Sequence, residues 1–371
     1  AAWVRVLSCR EIRQEIEKSL EFLTTSLRDV PARHCSVLAV FDHSWNRLSP
    51  EEQRVFRSLA VFRGGFTREA AGQVAAASLP VLASLLDKSM LRRSESGRYE
   101  LHELLRQYAA EKLDEAGETD QVASRHLAYF LKLSEQAETK LQGVEQASWL
   151  KRLDSENGNL RAALSWSLEN NETEIGLRLA ATLGQFWWMR GHLHNEGIKW
   201  LDSALSGTDS AEQPAVCARA FRWLGLLRLT AYGGHDATAR SAFEQSLAFY
   251  RALEDWNGIA SLLKYLGDIA GFQGDDAAMR SFYAAARSAY EKALNILRAQ
   301  DDKWRLAWTL NALGETARVE NDYEAARLYY EESLSIRREL GDHRGIAASI
   351  SNLGYVAQHQ GDLRQATKCF K

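Results

Sequence analysis

Apolar side chains recur along this chain at the three-and-four-residue spacing of amphipathic helices over nearly its whole length. Val55, Phe56, Leu59 and Phe62 form one such stripe. Ser49-Pro50-Glu51-Glu52 opens it, with Ser as N-cap, Pro at the first helical position and Glu placed to close a capping box. Gly64-Gly65 is expected to end that helix, Thr67 to cap the next, and Leu82, Leu85 and Leu86 to mark a third. The period then falls to two: 89–93 and 98–102 read as short strands around Ser94–Gly97, with Tyr99 and Leu101 on one face. A helix carrying Leu104, Leu105, Tyr108 and Leu113 follows. Three helices, a hairpin and a further helix make a winged-helix pattern.

The C-terminal half repeats itself, which decides its architecture. A Leu-Gly pair sits late in a helical pattern at 183–184, 224–225, 266–267, 313–314 and 353–354, at intervals of 40 to 47 residues. Seven residues after the last three of these glycines come Gly274-Asp275, Asn321-Asp322 and Gly361-Asp362, turn signals between antiparallel helices. Ala326 and Ala366 follow where two helices must approach closely. Second helices carry stripes such as Phe243, Leu247, Phe249, Tyr250 and Leu328, Tyr329, Leu334, Ile336. The joints 253–260 and 340–347 are alike, and the 47-residue interval holds extra helical residues around 279–289. The expected fold class is therefore all-α, a winged-helix domain followed by an α-solenoid.

Composition narrows the function. The net charge of −3 supplies no basic field for nucleic acid or anionic lipid, and 26% charged against 46% hydrophobic residues is globular. Cys9, Cys35, Cys217 and Cys369 form no CxxC pair, so neither a zinc knuckle nor a disulfide framework is written, and reduced thiols in a cytosol are expected. No apolar run approaches the ~20 residues of a membrane span. The chain opens without Met inside a helical pattern, Ala1 to Leu7, and stops in another, which suggests part of a longer protein.

The stretch 171–371 resembles the tetratricopeptide repeat (TPR) family in a form of roughly 40 residues, on its Leu-Gly pairs, Gly/Asn-Asp turns and the following Ala. The first two copies depart from the pattern in lacking that Ala. Residues 41–52, 56–66 and 99–109 resemble the winged-helix part of signal-transducing NTPases with numerous domains, the STAND or NB-ARC-like class. In that class a repeat sensor commonly follows the winged helix. The resemblance implies four segments: the tail of a preceding helical domain at 1–27, the winged helix at 28–117, a helical adaptor at 118–170 and the TPR superhelix of about five repeats at 171–371. It also implies that Leu101-His102-Glu103 stands where the family has Met-His-Asp, so that His102 would donate to the β-phosphate of ADP in the intact protein. The other reading of His102 is a residue that ends a strand and caps a helix. No GxxxxGK[ST] occurs, so the chain itself is expected to be no enzyme and to hold no cofactor, ADP or ATP belonging to the intact protein.

If the Leu-Gly register holds, the superhelix interior is faced by Arg219, Arg222, Lys264, Asp268, Trp308, Asn311, Glu315, Arg318, Gln358 and His359. This mixed polar and aromatic groove suits a protein or small effector, and its basic residues in the early copies hint at an acidic ligand. A solvated concave face is the alternative. His192-x-His194 is read against metal binding, since two residues apart on a helix the rings diverge, and Asp275-Asp276 and Asp301-Asp302 are read as caps. Trp187, Trp188, Trp223, Trp256, Trp304 and Trp308 are read mainly as packing. The function expected is the cytoplasmic sensor and relay portion of a STAND-type regulator, partnered in cis by a nucleotide-binding domain, with no membrane contact and no direct contact to nucleic acid. A ligand-induced oligomer of the parent is left open. The alternatives are a free-standing TPR scaffold and a DNA-binding regulator acting through the winged helix, whose third helix, 79–88, offers a single Lys and no Arg, Asn or Gln to read bases.

Overall fold

A computed structural model describes residues 37–207 and 213–370, with Ser8. The helical-domain tail at 1–27, the opening helical pattern, Cys9 and Cys35 lie outside the described residues. The described residues are all-α apart from one minimal hairpin, and the chain divides into two compact units. Of the described residues, 37–130 with Ser155–Trp166 form the first, and Leu131–Asp154 with 167–370 the second. The stretch expected as an adaptor, 118–170, consists mainly of two long helices, and the division runs through both.

The first unit holds α1 (Val37–Trp45), α2 (Pro50–Ser58), α3 (Arg68–Ala75), α4 (Leu79–Asp87), β1 (Arg92–Arg93), β2 (Tyr99–Glu100) and α5 (Glu103–Glu115). The capping box at Ser49 is formed in both directions: Ser49 Oγ accepts from Glu52 N, and Ser49 N donates to Glu52 Oε2 at 2.6 Å. Thr67 and Ser78 cap α3 and α4 in one direction only, each side chain accepting from the N–H three residues on. The α2 helix stops at Ser58, earlier than its glycines suggested, and tightens into a 3-10 turn at Leu59–Val61. Gly64 and Gly65, both in the left-handed region, then turn the chain so that Phe66 exchanges backbone hydrogen bonds with Tyr99.

Each strand spans two residues instead of the five expected. Ser89 turns left-handed at φ 57°, and the Met90 and Leu91 N–H groups donate to Leu85 O at the end of α4, so they are unavailable to the ladder. Phe56, Phe62, Phe66, Leu82, Leu85 and Tyr108 form the core, and Tyr108 donates to Asp42 Oδ1 at 2.7 Å. The unit also includes parts of α6 (Thr119–Lys140) and α7 (Gln146–Glu169). Arg98 of the hairpin forms a forked ion pair with the buried Glu156 of α7, and Asn159 reaches both the Gly65 carbonyl and the Arg63 N–H.

The second unit contains five helix pairs: α8 (Thr173–Met189) with α9 (His194–Ser206), α10 (Pro214–Tyr232) with α11 (Ala237–Ala252), α12 (Trp256–Phe272) with α13 (Asp276–Gln300), α14 (Lys303–Val319) with α15 (Tyr323–Leu340), and α16 (His343–His359) with α17 (Leu363–Cys369). Each Leu-Gly pair lies in the first helix. The glycines admit aromatic rings: a methyl at Gly225, Gly267, Gly314 or Gly354 would stand 2.5–2.9 Å from Phe243, Tyr283, Tyr330 or Phe370 of the same pair. Gly184 is pressed instead by Trp223 of the next pair. Ala326 is fully buried at the α14–α15 contact, and α13 runs 25 residues, which accounts for the longest interval.

One joint recurs. A residue in the left-handed region precedes an Asp at Glu254-Asp255, Gly274-Asp275, Asp301-Asp302, Asn321-Asp322, Gly341-Asp342 and Gly361-Asp362. The Asp side chain accepts from the first turn of the next helix in all six. In five of them the Asp N–H also donates back to the carbonyl five residues earlier, as in Asp322 N to Ala317 O at 2.8 Å, closing the outgoing helix in a Schellman arrangement. Of the two carboxylate pairs, Asp275 and Asp302 are the side-chain caps, while Asp276 opens α13 and Asp301 takes the left-handed position that ends it. Among the described residues no single helix is long and apolar enough to cross a membrane.

Candidate functional site

The first helices of successive pairs, α8, α10, α12 and α14, line a cavity of about 320 Å³ within the second unit. Their inward residues are spaced three or four apart, the stripe left over once the opposite face has packed against the second helices. Gln185 and Trp188 come from α8, Arg222, Trp223 and Leu226 from α10, Asn257, Lys264 and Tyr265 from α12, and Trp304, Arg305, Trp308, Asn311 and Glu315 from α14. Tyr290 of α13 and Glu138 of α6 complete it. A smaller recess of about 160 Å³ shares Gln185, Trp188, Trp304, Trp308, Asn311 and Glu315 with it and adds Arg337, Asp342 and Arg344.

Most of the cavity's charges are matched within the protein. Lys264 Nζ lies 3.0 Å from Asp268 and 2.8 Å from Glu315. Burial works against its charge, but those two carboxylates more than offset it and raise its pKa well above the ordinary lysine value. Glu315 also accepts from Asn311 at 3.1 Å, and Asp268 accepts from the Tyr283 hydroxyl. Glu138 holds Arg219, both contacts at 3.1 Å. Arg305 lies 3.7 Å from Asp255 and 3.9 Å from Asp302. Neighbouring first helices are stitched by Thr309 to Asn257 at 3.0 Å and Asn352 to Asn311 at 3.2 Å.

Arg222 differs. Its guanidinium lies 4.9 Å from the centre of the Trp223 ring, and its Nε is shut off from solvent with no acceptor. No carboxylate contacts it among the described residues. Burial pushes its pKa down, yet the surrounding phenols, Glu138 and Asp255 outweigh that and hold it above the ordinary value, so it stays charged.

Of the ten residues expected on the interior, Arg222, Lys264, Trp308, Asn311 and Glu315 line the cavity. Arg219 and Asp268 stand behind it as ion-pair partners of lining residues. Arg318 is half-buried beside Tyr330, His359 stacks on Tyr323 at 5.3 Å, and Gln358 is exposed without lining the cavity. Trp188 and Trp304, read as packing, are cavity walls. Trp187 and Trp223 are buried, Trp223 forming cavity wall as well, and Trp256 lies under Lys292 at 4.0 Å. Tyr265 and Tyr290 line the cavity as well, beyond the residues expected from the Leu-Gly register. His194 lies 3.1 Å from the Trp188 carbonyl through Nε2.

In the first unit, His102 is the N-cap of α5: its Nδ1 accepts from Leu104 N at 3.3 Å. The capping reading is thus realised. With Nδ1 an acceptor, a neutral ring carries its proton on Nε2, and the side chain is exposed at a helix N-terminus. Glu103 is held by Arg106 at 2.6 Å, which keeps its carboxyl below the usual range against the opposing effect of burial. The exposed side of α4 is Leu79, Pro80, Ala83 and Asp87, and Lys88, the helix's one cation, is engaged by Glu52 at 2.7 Å.

Residues 276–339, from α13 through most of α15, match the tetratricopeptide repeat family. The chain is 33% identical over 339 residues to a protein of Mycobacterium bovis and to two of Mycobacterium tuberculosis, each named as an HTH-type transcriptional regulator. The match takes in 87% of this chain and 37% of each relative, so the chain spans little more than a third of their length. Among solved structures it is similar to a Signal Transduction ATPase with Numerous Domains (STAND) protein with a tetratricopeptide repeat sensor from Pyrococcus horikoshii. That likeness has 14% identity and a TM-score of 0.40 and covers 98% of this chain and 63% of the other. It is also similar to the apo quorum sensor NprR of B. thuringiensis, at 15% identity and a TM-score of 0.43, covering 71% of this chain and 69% of NprR.

Proposed function

We propose that this chain is the sensor and relay portion of a STAND-type regulator. The solenoid receives an effector, and the first unit, a winged helix, passes the event to a nucleotide-binding domain in the remainder of the parent protein. The observation that carries the reading is the cavity built by four successive first helices, aromatic-walled and holding one cation that the protein itself does not pair. The resemblance of 99–109 to the family's phosphate-sensing segment supports the relay half. So does the exposed Nε2–H of His102 at the start of α5, a donor suited to a phosphate oxygen. The chain carries no chemistry of its own on this reading, and ADP in the parent's resting state supplies the negative charge that His102 meets. An effector shifts the parent toward its open state only in so far as it binds that state more tightly.

The test is mass spectrometry of nucleotide carried by the full-length protein, with and without His102→Ala. ADP retained by the unaltered protein and lost from the variant is the expected result. ADP retained equally by both, or by neither, would overturn the relay. The scaffold reading predicts no nucleotide in either. The DNA-reading alternative through the winged helix is disfavoured by the apolar and acidic exposed side of α4.

A further inference from the structure

The charge pattern of the cavity deepens the sensor half of that proposal, on which it rests. Every carboxylate on its wall is occupied: Glu138 by Arg219, and Glu315 by Lys264 and Asn311. Lys264 is occupied in turn by Asp268 and Glu315, so neither it nor they call for a ligand charge. Arg222 alone is a wall cation without a hydrogen-bonding or ion-pairing partner among the described residues, and the carboxylates nearest to influencing it are committed elsewhere. The adjacent Trp223 Nε1 is a second buried donor with no acceptor. The Arg222 Nε and the Trp223 indole N–H have no protein acceptor, and a ligand oxyanion beside the guanidinium would supply charge-assisted hydrogen bonds that the protein itself does not.

The rest of the wall specifies the body of that ligand. Trp188 and Trp223 approach at 6.4 Å and a 41° tilt, Trp304 and Trp308 at 5.9 Å and 43°, and Trp308 keeps 39% of its surface exposed. Trp223 is fixed from behind, since even a methyl at Gly184 would stand 2.2 Å from its ring, so the platform under Arg222 is set before anything binds. We infer that the solenoid cavity binds a small molecule with a flat aromatic body and one oxyanion, carboxylate or phosphate, the anion meeting Arg222 and the ring lying among Trp188, Trp223 and Trp308.

Calorimetric titration of this chain with 2-naphthoate, 2-naphthyl phosphate and neutral 2-naphthol tests it. At least one anionic probe should bind at least tenfold more tightly than naphthol, and which one does separates carboxylate from phosphate recognition. Arg222→Gln should abolish the preference at an unchanged melting temperature, and Trp308→Ala, at a partly exposed position, should weaken all three probes. If Arg222→Gln does not fold, Arg222→Lys should keep a reduced preference for the anion. Equal binding of all three probes, an undiminished preference without Arg222, or no binding of any probe would overturn the inference. ADP retention dependent on His102 would be untouched by such a failure, which keeps the two proposals separable.

Discussion

Glu52 in the first unit answers to three groups at once, the Ser49 N–H, Ser84 and Lys88, the last through both carboxylate oxygens. In the second unit the corresponding work falls to a file of aspartates, each serving one joint and, at five of the six, both helix ends that meet there. The first unit closes by bonds that occur once and span the sequence, such as Arg98 to Glu156 and Arg63 to Asn159. The solenoid closes by a local device used again and again. A single loss therefore injures the two regions differently. In the first unit it unties distant segments, whereas in the solenoid it is felt by the pair concerned and its neighbours.

The largest break expected is in the solenoid packing. Gly314→Val puts branched carbon where a single methyl would already stand 2.5 Å from the Tyr330 ring, and should cost about 3 kcal/mol or more in urea denaturation. The loss should spread to α16 through the cluster of Ala317, Ala326, Tyr330 and Val356. Full stability in the variant would mean that the aromatic ring does not sit against the glycine. The next is Glu156→Gln, which leaves Arg98 without its charge partner and should destabilise the first unit by about 2 kcal/mol, discounted for the partial exposure of Arg98. Hydrogen exchange should show the hairpin opening while the α12–α15 amides keep their protection.

The smallest is a pH effect confined to the first unit. Burial, reinforced by the Arg63 charge and opposed by Asn159, pushes the His126 imidazole down to about 3. Its ordinary value is 6.5, so between pH 6.5 and 3 the unfolded chain takes up a proton that the folded chain refuses. The folded state therefore loses stability as pH falls through that window, at up to about 1.4 kcal/mol per pH unit. The sum at pH 5 should be about 1–2 kcal/mol, and His126→Phe should flatten the slope. A variant that retained the slope would move its origin to other groups, such as Glu52, whose carboxyl Lys88 and Ser84 hold at about 2 against burial and which loses its contribution only below pH 4.5.

The joints and caps were legible because each is decided within a few residues: Ser49 and Glu52, or Asn321 and Asp322, carry their partners beside them. The repeat register was legible for the same reason, since the Leu-Gly pair must face an aromatic ring of the same or next pair. The cavity wall was only half legible. Which residue of a first helix faces inward depends on how each pair rotates against the last, and that rotation is set by side chains forty residues away. Arg318, Gln358 and His359 therefore turn out of the cavity, while Trp188 and Trp304 enter it. Glu138 was beyond reach, because the helix that delivers it to Arg219 lies 81 residues back in the chain. The strand lengths were missed because Leu85 O, outside the hairpin, captures two of its N–H groups.

The left-handed residue and its Asp have a consequence for how such a chain changes over generations. Because the dipeptide both finishes one helix and begins the next, a cut between two of these joints removes or copies whole helices with their ends already sealed. Recombination between two such points changes the solenoid in steps that expose no raw backbone. The length of the solenoid is thus free to vary while its walls are refitted one residue at a time.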